Sequence, residues 1–300
     1  VGVLDIDPSN IRIKERLHPG KMLLVDTVEG RVIDDEELKN RYATRKPYGE
    51  WLDNNLVMLR DLKIPNKKAI EYDKTERARL QKAFGYTYED FYSAILNMAK
   101  NGSEPIAAMG VDTPLAPISK QRPSLFEYFK QLFAQVTNPP IDALREKIVT
   151  ATSVYIGKDG NILEEKAENC HVLRVDNPIL TNMDLLKIKN MDKEGFKVAE
   201  IPITYYKNTS LEKAIDRMFV EADRAHGDGA NIIILTDRGV DDNRVAIPSL
   251  LAVAAMNQHL VVTKKKTSVA LILESGEPRT VHHFATLLGY GACAINPYLA

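Results

Sequence analysis

Charged residues follow the first of three apolar segments near the end of the chain, in the stretch "TDRGVDDNR". Asp237, Arg238, Asp241, Asp242 and Arg244 bring carboxylates and guanidinium groups close together along the chain. Such a set can form an ion-pair network, bind a neighbouring domain, or supply an acid or base for catalysis. Of these three, we favour a network or an interface.

A second candidate loop, "ESGEPR", follows the next apolar segment. Gly276 and the start of a helix near Pro278 would offer backbone N–H groups to an anion, and Arg279 would add positive charge. However, Glu274 and Glu277 flank the glycine and would repel phosphate, and the loop "NPYLA" lacks a glycine for close backbone approach. Gly276 and Arg279 are therefore weak candidates for an anion site, and an interface loop without cofactor is the alternative we favour.

Metal and nucleophile patterns are weaker still. His282 and His283 are neighbours on a predicted helix, so their side chains point about 100° apart, and no further ligand recurs at zinc spacing. There is no G-x-S-x-G elbow, and we do not expect Cys170, which precedes His171, or Cys293 to be an activated nucleophile. The Lys264–Lys266 run is expected to be a solvated turn. We predict no catalytic residue and no metal site.

The elements that position these loops alternate over the last hundred residues. "ANIIILTDRG", "SVALILESG" and "ACAINP" are apolar strands, and "IPSLLAVAAMNQHLV" and "EPRTVHHFATLLG" are helices between them. Near-continuous apolar strands separated by helices indicate a parallel sheet that is covered on both faces. The pattern predicts an α/β fold, either a doubly wound sheet or a β/α barrel, with the functional loops at the carboxyl ends of the strands.

Capped helices are predicted upstream of this sheet. From about residue 85, Thr87 and Asp90 are spaced to cap a helix that Gly102 would end. Thr209 and Glu212 form a similar box before "LEKAIDRMFVEADRAH". These signals predict helices at both places.

A further helix is predicted in "PSLFEYFKQLFAQVTNPP". Ser124 and Glu127 have the spacing of a capping box, and apolar residues recur on one helical face. We expect this stripe, Leu125, Phe129, Leu132 and Val136, to pack in a core rather than to stack on bases.

The first part of the chain has a different character. "GKMLLVDTVEGRVIDD" predicts a β-hairpin that turns at Glu29 and Gly30, and "DDEELKNRYA" begins a helix with acidic residues in its first turn. Residues 41–84 mix helix and polar loop and are expected to be a packed linker. The apolar run Met22, Leu23, Leu24 and Val25 is expected to lack a partner.

Composition bounds the classes of function. The chain has 300 residues, with 40 Lys and Arg against 41 Asp and Glu, so no charge excess favours nucleic acid or an anionic membrane. No apolar run is long enough to span a bilayer, and two cysteines are too few for a disulfide framework. We expect a cytoplasmic protein with reduced thiols. The opening "VGVLDIDPSN" and the ending "NPYLA" suggest a piece of a longer polypeptide.

Several long phrases resemble the large chain of glutamate synthase. They include "LHPGKMLLVDTVEGRVIDDEELK", "EPIAAMGVDTPLAPIS", "YFKQLFAQVTNPPIDALRE" and "VHHFATLLGYGACAINPYLA". The resemblance extends over the whole chain in the correct order. In that family, an amidotransferase domain with an N-terminal cysteine releases ammonia from glutamine. The ammonia passes through an internal tunnel to an FMN barrel with a three-iron four-sulfur cluster, which makes glutamate from 2-oxoglutarate.

The resemblance implies a set of assignments. Residues 1–40 would be the tail of the amidotransferase domain, 41–84 a helical linker, and 85–300 the central domain. That domain would be a degenerate β/α-barrel-like sheet that resembles the FMN barrel but holds no cofactor. It would link the flanking domains of the same polypeptide, with a second electron-donor subunit as a further partner, and help to form the ammonia tunnel. The residues expected at an interface or tunnel are Asp237, Arg238, Glu274, Ser275 and Glu277. The alternative is a stand-alone flavin- or phosphate-binding β/α-barrel enzyme.

Overall fold

A computed structural model describes residues 3–108, 110–114, 116, 118–120, 123–136 and 139–300. The chain divides into two compact units. The smaller unit comprises residues 1–50 and 138–151, and the larger comprises residues 51–137 and 152–300. No helix in the described ranges is both long and apolar enough to cross a membrane.

The α-helices are numbered in chain order. They are α1 (Asp35–Ala43), α2 (Tyr48–Asn55), α3 (Lys74–Ala83), α4 (Leu96–Asn101), α5 (Ala143–Val149), α6 (Asn182–Lys189), α7 (Leu211–Gly227), α8 (Ser249–Val262) and α9 (Val281–Gly289). The strands are β1 (Leu24–Asp26), β2 (Arg31–Ile33), β3 (Val57–Met58), β4 (Val154–Ile156), β5 (Leu173–Val175), β6 (Val198–Pro202), β7 (Thr204–Tyr206), β8 (Ile232–Thr236), β9 (Arg244–Ala246), β10 (Ala270–Glu274) and β11 (Ala294–Asn296).

The predicted hairpin and first helix are present in the smaller unit. β1 and β2 pair antiparallel, with Val25 opposite Val32. Gly30 has φ +67°, which glycine adopts without the strain that a side chain brings. Asp34 caps α1 by accepting from the N–H of Glu37. The run 22–25 is exposed, as the sequence indicates.

A four-stranded parallel sheet forms the centre of the larger unit. Its order is β11-β10-β8-β6, so each strand lies beside its neighbour in the alternating part of the sequence. All five residues of both β8 and β10 are buried. The predicted α/β alternation and parallel pairing are confirmed.

The two faces of this sheet have different cover. Ile233, Leu235, Leu271 and Leu273 lie in one cluster with the buried sides of α7, α8 and α9. On the other face, Ile232, Ile234, Ala270 and Ile272 lie in a second cluster with residues of α6 and of a small β3-β5-β4 sheet. Burial on both faces explains why the strands read as continuous apolar runs.

Closure into a barrel is not observed among the described residues. The strand order follows the chain, as in a β/α barrel, whereas a doubly wound sheet reverses its order at a switch point. At the β11 edge, the further pairing is a single bridge between Ile179 and Ile295. The small sheet with its Leu173 and Ile156 side chains occupies the face that would be a barrel interior. The four-stranded sheet therefore has the strand order of a β/α barrel, and no closure is seen in the described part of the larger unit.

The helix predicted from about residue 85 is present with an unpredicted feature. Thr87 and Asp90 cap each other's backbone N–H groups, and Gly102 ends the helix with φ +64°. Between these caps, residues Asp90–Ile95 form π-helix before α4 begins.

Two sequence-based assignments need correction. The long helix predicted from Ser124 is a 3₁₀ turn, Leu125–Phe129, because the carbonyl of Gln131 accepts from Val111 instead of continuing a helix. The predicted stripe does not form a core face, since Leu132 and Val136 are exposed. The cap of α7 is Ser210 rather than Thr209, because the Ser210 hydroxyl accepts from the N–H of Lys213.

Candidate functional site

Three loops meet at the carboxyl ends of the parallel strands. They follow β8, β10 and β11, and we call this side of the sheet the carboxyl edge. The pairing places Glu274 beside Thr236 and beside Asn296, so that the residues just after each strand are neighbours in space. The two loops that the sequence singled out are thus brought together.

Asp237 lies at the centre of the carboxyl edge and is buried. Its carboxylate accepts hydrogen bonds from the Ser275 hydroxyl at 2.5 Å and from the Tyr298 hydroxyl at 2.7 Å. The N–H of Gly276 also donates to both carboxylate oxygens at 3.2 Å. We call these four residues the Asp237 cluster.

Burial dominates the protonation of this cluster. Burial raises the pKa of Asp237 to about 7, although the hydrogen bonds from Ser275, Tyr298 and Gly276 oppose the rise. The pKa of Tyr298 is also raised, first by burial and then by the neighbouring Asp237 charge. The carboxyl group therefore changes protonation near neutral pH, which is unusual for an aspartate.

Glu274 forms a second buried group beside the first. One of its carboxylate oxygens accepts from the Lys189 ammonium group and from the Thr236 hydroxyl, each at 2.7 Å, and the other accepts from Arg238 Nε at 2.5 Å. Lys189 also pairs with Glu200 at 2.7 Å. Glu274, Lys189, Arg238 and Glu200 are called the Glu274 ion cluster below.

The charges in the Glu274 ion cluster stabilise one another. Burial alone would raise the pKa of Glu274, but Lys189 and Arg238 hold it below its ordinary value. The Arg238 guanidinium lies 4.0 Å from the ring centre of Tyr298 and 5.5 Å from that of Tyr72. Its Nη1 donates to the Tyr72 hydroxyl at 3.0 Å. Arg238 is thus stacked as well as ion-paired.

Glu277 has a structural role that the sequence did not indicate. Its carboxylate accepts from both the N–H and the hydroxyl of Ser249, at 2.7 and 2.6 Å. Ser249 is the first residue of α8, so Glu277 supplies the cap that Pro248 lacks and places negative charge at the positive end of that helix.

Gly276 and Arg279, the two weak anion candidates, are both engaged within the protein. The Gly276 N–H donates to a carboxylate, and a Cβ there would lie 2.6 Å from Leu299 and 2.9 Å from Phe84. Arg279 pairs with Asp90 at 3.1 Å.

The Arg279 side chain also contacts the segment that follows α3. It donates to the carbonyls of Phe84 and Gly85, at 3.3 and 3.0 Å, and lies 4.3 Å from the ring centre of Tyr86. Because Gly276 and Arg279 are both engaged in this way, the geometry counts against an anion site on the loop after β10.

Asp241 and Asp242 of the β8 loop are exposed. Asp241 pairs with Arg244 at 2.8 Å, and Asp242 pairs with Arg79 at 2.5 Å. Exposed pairs of this kind contribute little to stability. Of the five charged residues grouped in the sequence, Arg238 thus pairs with the buried Glu274, Asp241 pairs with Arg244, and Asp242 pairs with Arg79. Their role as a network or an interface stays a prediction.

The histidines and cysteines have ordinary surroundings. His283 is buried and stacked on Phe126, with ring centres 4.3 Å apart, and burial together with the Arg279 charge lowers its pKa to about 3. His282 contacts the carbonyl of Phe126 at 2.8 Å. Cys170 and Cys293 are both free and half-buried. Among the described residues, no group of three or more His, Cys, Asp or Glu could hold a metal ion.

The run Lys264–Lys266 is less solvated than the sequence predicted. Lys265 pairs with Asp223 at 2.5 Å, and Lys266 donates to the carbonyl of Gly291 at 3.3 Å. Only Lys264 of the three is exposed, at the positive-φ residue after α8.

A cavity of about 300 Å³ opens beside the Glu274 ion cluster. Lys189, Arg238, Glu200 and Glu274 line one part of it. The rest is lined by one face of α6, by the residue that follows this helix and by an upstream segment of the chain, namely Lys67, Lys68, Ala69, Ile70, Asn182, Leu185, Leu186 and Asn190.

Several residues of the carboxyl edge were missed by the sequence argument. Tyr298 lies in the loop after β11, whose position alone could have identified it. Lys189, Tyr72 and Lys67 lie far from the loops in the chain and carry no local signal, since only the fold brings them to the carboxyl edge.

Comparison with known proteins identifies close sequence relatives. Residues 79–300 match the family model described as glutamate synthase central domain, and residues 1–51 match that of class-II glutamine amidotransferases. The glutamate synthase (NADPH) large chain of Bacillus subtilis is 44% identical over 301 residues, which include all of this chain and 19% of that protein.

Two further relatives come from eukaryotes. Glutamate synthase (NADH) of Schizosaccharomyces pombe is 43% identical over 313 residues, 100% of this chain and 15% of that protein. Ferredoxin-dependent glutamate synthase 1, chloroplastic/mitochondrial, of Arabidopsis thaliana is 39% identical over 307 residues, 100% of this chain and 19% of that protein. The chain thus spans about a fifth or less of the length of these relatives.

Proposed function

The chain belongs to the glutamate synthase family, and from this premise we propose that it acts as the non-catalytic central module between an amidotransferase part and a flavin-binding part. The observation that carries the proposal is the central-domain match over residues 79–300. The carboxyl edge supports it, because Asp237 and Glu274, which an active site would offer to a ligand, are engaged with the protein's own groups.

The domain assignment is part of this proposal. We assign residues 1–40 to the amidotransferase tail, 41–84 to the linker and 85–300 to the central domain. The amidotransferase match to residues 1–51 supports the first assignment. Residues 51–84 belong to the larger compact unit and contribute β3 to its small sheet, which supports a linker that packs.

The proposed partners are the flanking amidotransferase and FMN domains, together with a second electron-donor subunit. Ammonia from glutamine would pass along this module to the FMN and three-iron four-sulfur centre, where 2-oxoglutarate becomes glutamate. A cytoplasmic location is also a proposal, since the Arabidopsis relative is named as chloroplastic and mitochondrial.

The five interface or tunnel candidates divide by exposure. Asp237 and Ser275 are 1% and 0% exposed, so we propose that they stabilise the loops of the carboxyl edge from the interior and do not contact a partner directly. Arg238 and Glu274 line the open cavity and can meet a passing molecule or a neighbouring domain. Glu277 acts through the cap that it provides for α8.

Purification of the 300-residue chain tests the non-catalytic role. The protein should be colourless and should show neither glutaminase nor glutamate-forming activity, whereas the full-length enzyme prepared in the same way should show both. A stoichiometric flavin spectrum from the 300-residue chain would instead support the alternative of a stand-alone flavin enzyme.

The proposed passage is tested in the full-length enzyme with Arg238→Met. The control is Arg244→Met, at the half-exposed first residue of β9. Arg238→Met should lower glutamate formation from glutamine more than formation from added ammonia, while glutamine hydrolysis continues. Equal loss with both nitrogen sources, or equal effects of the two variants, would remove Arg238 from the passage.

A further inference from the structure

The cavity beside the Glu274 ion cluster has an excess of positive charge. Its lining includes Lys67, Lys68, Lys189 and Arg238 against Glu200 and Glu274. The two carboxylates are already matched, because Glu274 pairs with Arg238 and Lys189, and Glu200 pairs with Lys189. The charges of Lys67 and Lys68 are therefore left without a compensating anion in the cavity.

The position of the two lysines fits a binding role. The Lys67 ammonium group donates to Asn190 Oδ1 at 2.6 Å, which ties the upstream segment to the end of α6. Within the described part of the chain, the Lys68 ammonium group makes no ion pair or hydrogen bond, although Lys68 lines the cavity. Unpaired lysine ammonium groups in a concave site attract small anions.

The carboxyl edge is also where parallel α/β sheets bind ligands. Arg238 is held there in a fixed orientation by Glu274 and by the Tyr72 hydroxyl, and its guanidinium stacks on Tyr298. A guanidinium fixed in this way needs little reordering before it meets an oxyanion. The cavity of about 300 Å³ lies at the lower end of the range of small-ligand sites.

We propose that this cavity binds a small doubly charged oxyanion, with Lys67 and Lys68 as its charge partners and Arg238 as its fixed donor. This site is separate from the Gly276 loop, whose groups are engaged elsewhere. It goes beyond the proposed module function, because it gives a domain that we propose to be non-catalytic a ligand of its own. The shared chemistry is that of a phosphate or of a short dicarboxylate.

Titration calorimetry on the 300-residue chain tests the site, with inorganic phosphate and succinate as separate probes at constant ionic strength. Binding of either probe supports the site. The probe that binds with the higher affinity shows whether the natural ligand is a phosphate or a dicarboxylate. Lys67→Ala/Lys68→Ala should weaken binding by roughly tenfold or more, since each lysine contributes a charge interaction in a partly screened cavity.

The matched control is Lys82→Ala/Lys213→Ala, which removes the same charge from exposed helical positions outside the cavity. It should bind as the unmodified chain does. Lys67→Arg/Lys68→Arg should retain binding, because it keeps both charges. The proposal is overturned if neither probe binds, or if the two alanine variants lose affinity equally. This test measures binding and not activity, so its outcome is independent of the test of the proposed function.

Discussion

At the residue scale, Glu274 is the buried counter-charge that two cations of the carboxyl edge share. Its side chain is 3% exposed and pairs with both Lys189 and Arg238, which are 15% and 12% exposed. Two cations of this kind require their partner, because a buried charge without compensation is costly. The same Lys189 also pairs with Glu200, whose side chain is 47% exposed, so the two glutamates form a natural comparison.

Glu274→Gln should therefore lower the free energy of unfolding by about 3–5 kcal/mol, since it leaves Lys189 and Arg238 without a buried counter-charge. Glu200→Gln should change it by less than about 1 kcal/mol, because its pair is largely solvated. Urea denaturation of the two variants measures both values. If the two substitutions cost the same, burial is not what makes the Glu274 pairs important.

Asp237 predicts a pH dependence of stability. Its pKa is about 7 in the folded protein and is lower when the chain is unfolded, so the folded state holds the proton more tightly. Its stabilising contribution is present at low pH and is lost as pH rises from about 4 to about 7, by roughly 2–4 kcal/mol.

The measurement is the free energy of unfolding of the unmodified chain minus that of Asp237→Asn, at several pH values across this range. Taking the difference cancels the opposite trend from His283, whose lowered pKa makes the protein lose stability as pH falls. The difference should fall as pH rises. A difference that is constant with pH would show that Asp237 titrates normally.

At the scale of elements, the cap of α7 is a place where the sequence pattern and the structure identify different residues. Thr209 and Glu212 have box spacing, yet the hydroxyl of Ser210 accepts the N–H of Lys213. Ser210→Ala should thus cost about 1 kcal/mol of unfolding free energy, as for other serine caps. Thr209→Ala, one residue earlier, should cost less than about 0.5 kcal/mol. Thermal or urea unfolding compares the pair, and a larger loss for Thr209→Ala would restore the sequence-based cap.

The sequence predicted those elements whose signals are local. The apolar strands, the Thr87 cap and the Gly102 end of α4 follow from adjacent residues, and the structure has them. The helix predicted from Ser124 was wrong, because a long-range bond from Val111 takes the Gln131 carbonyl. The same limit applies to the carboxyl edge. Asp237 and Glu274 are visible from their loops, but Lys189 reaches Glu274 only through the fold.

At the scale of the whole molecule, the two compact units predict unequal effects of truncation. Within the described range 3–40, no residue belongs to either core cluster of the larger unit. Their deletion should lower the melting temperature of that unit by less than about 5 °C.

A longer deletion, of residues 1–62, provides the control. It also removes β3 together with Leu59 and Leu62, which belong to the second core cluster. The melting temperature should then fall much further. Calorimetry compares the two proteins, and an unfolded product from the shorter deletion would show that the hairpin is integral to the larger unit.

The pairing of β3 with β5 also has a consequence for the order of folding. Val57 lies opposite Leu173, so the long intervening chain must close before this pair can form. β8 and β10 are also paired, but they are joined by a much shorter connection that contains β9 and α8. The transition state should then contain the β8–β10 pair and lack β3. Leu271→Ala should slow refolding, while Leu59→Ala should mainly speed unfolding, as stopped-flow kinetics would measure. In that case β3, which follows the amidotransferase match at residues 1–51, would be the last strand to pair during folding and the first to separate during unfolding.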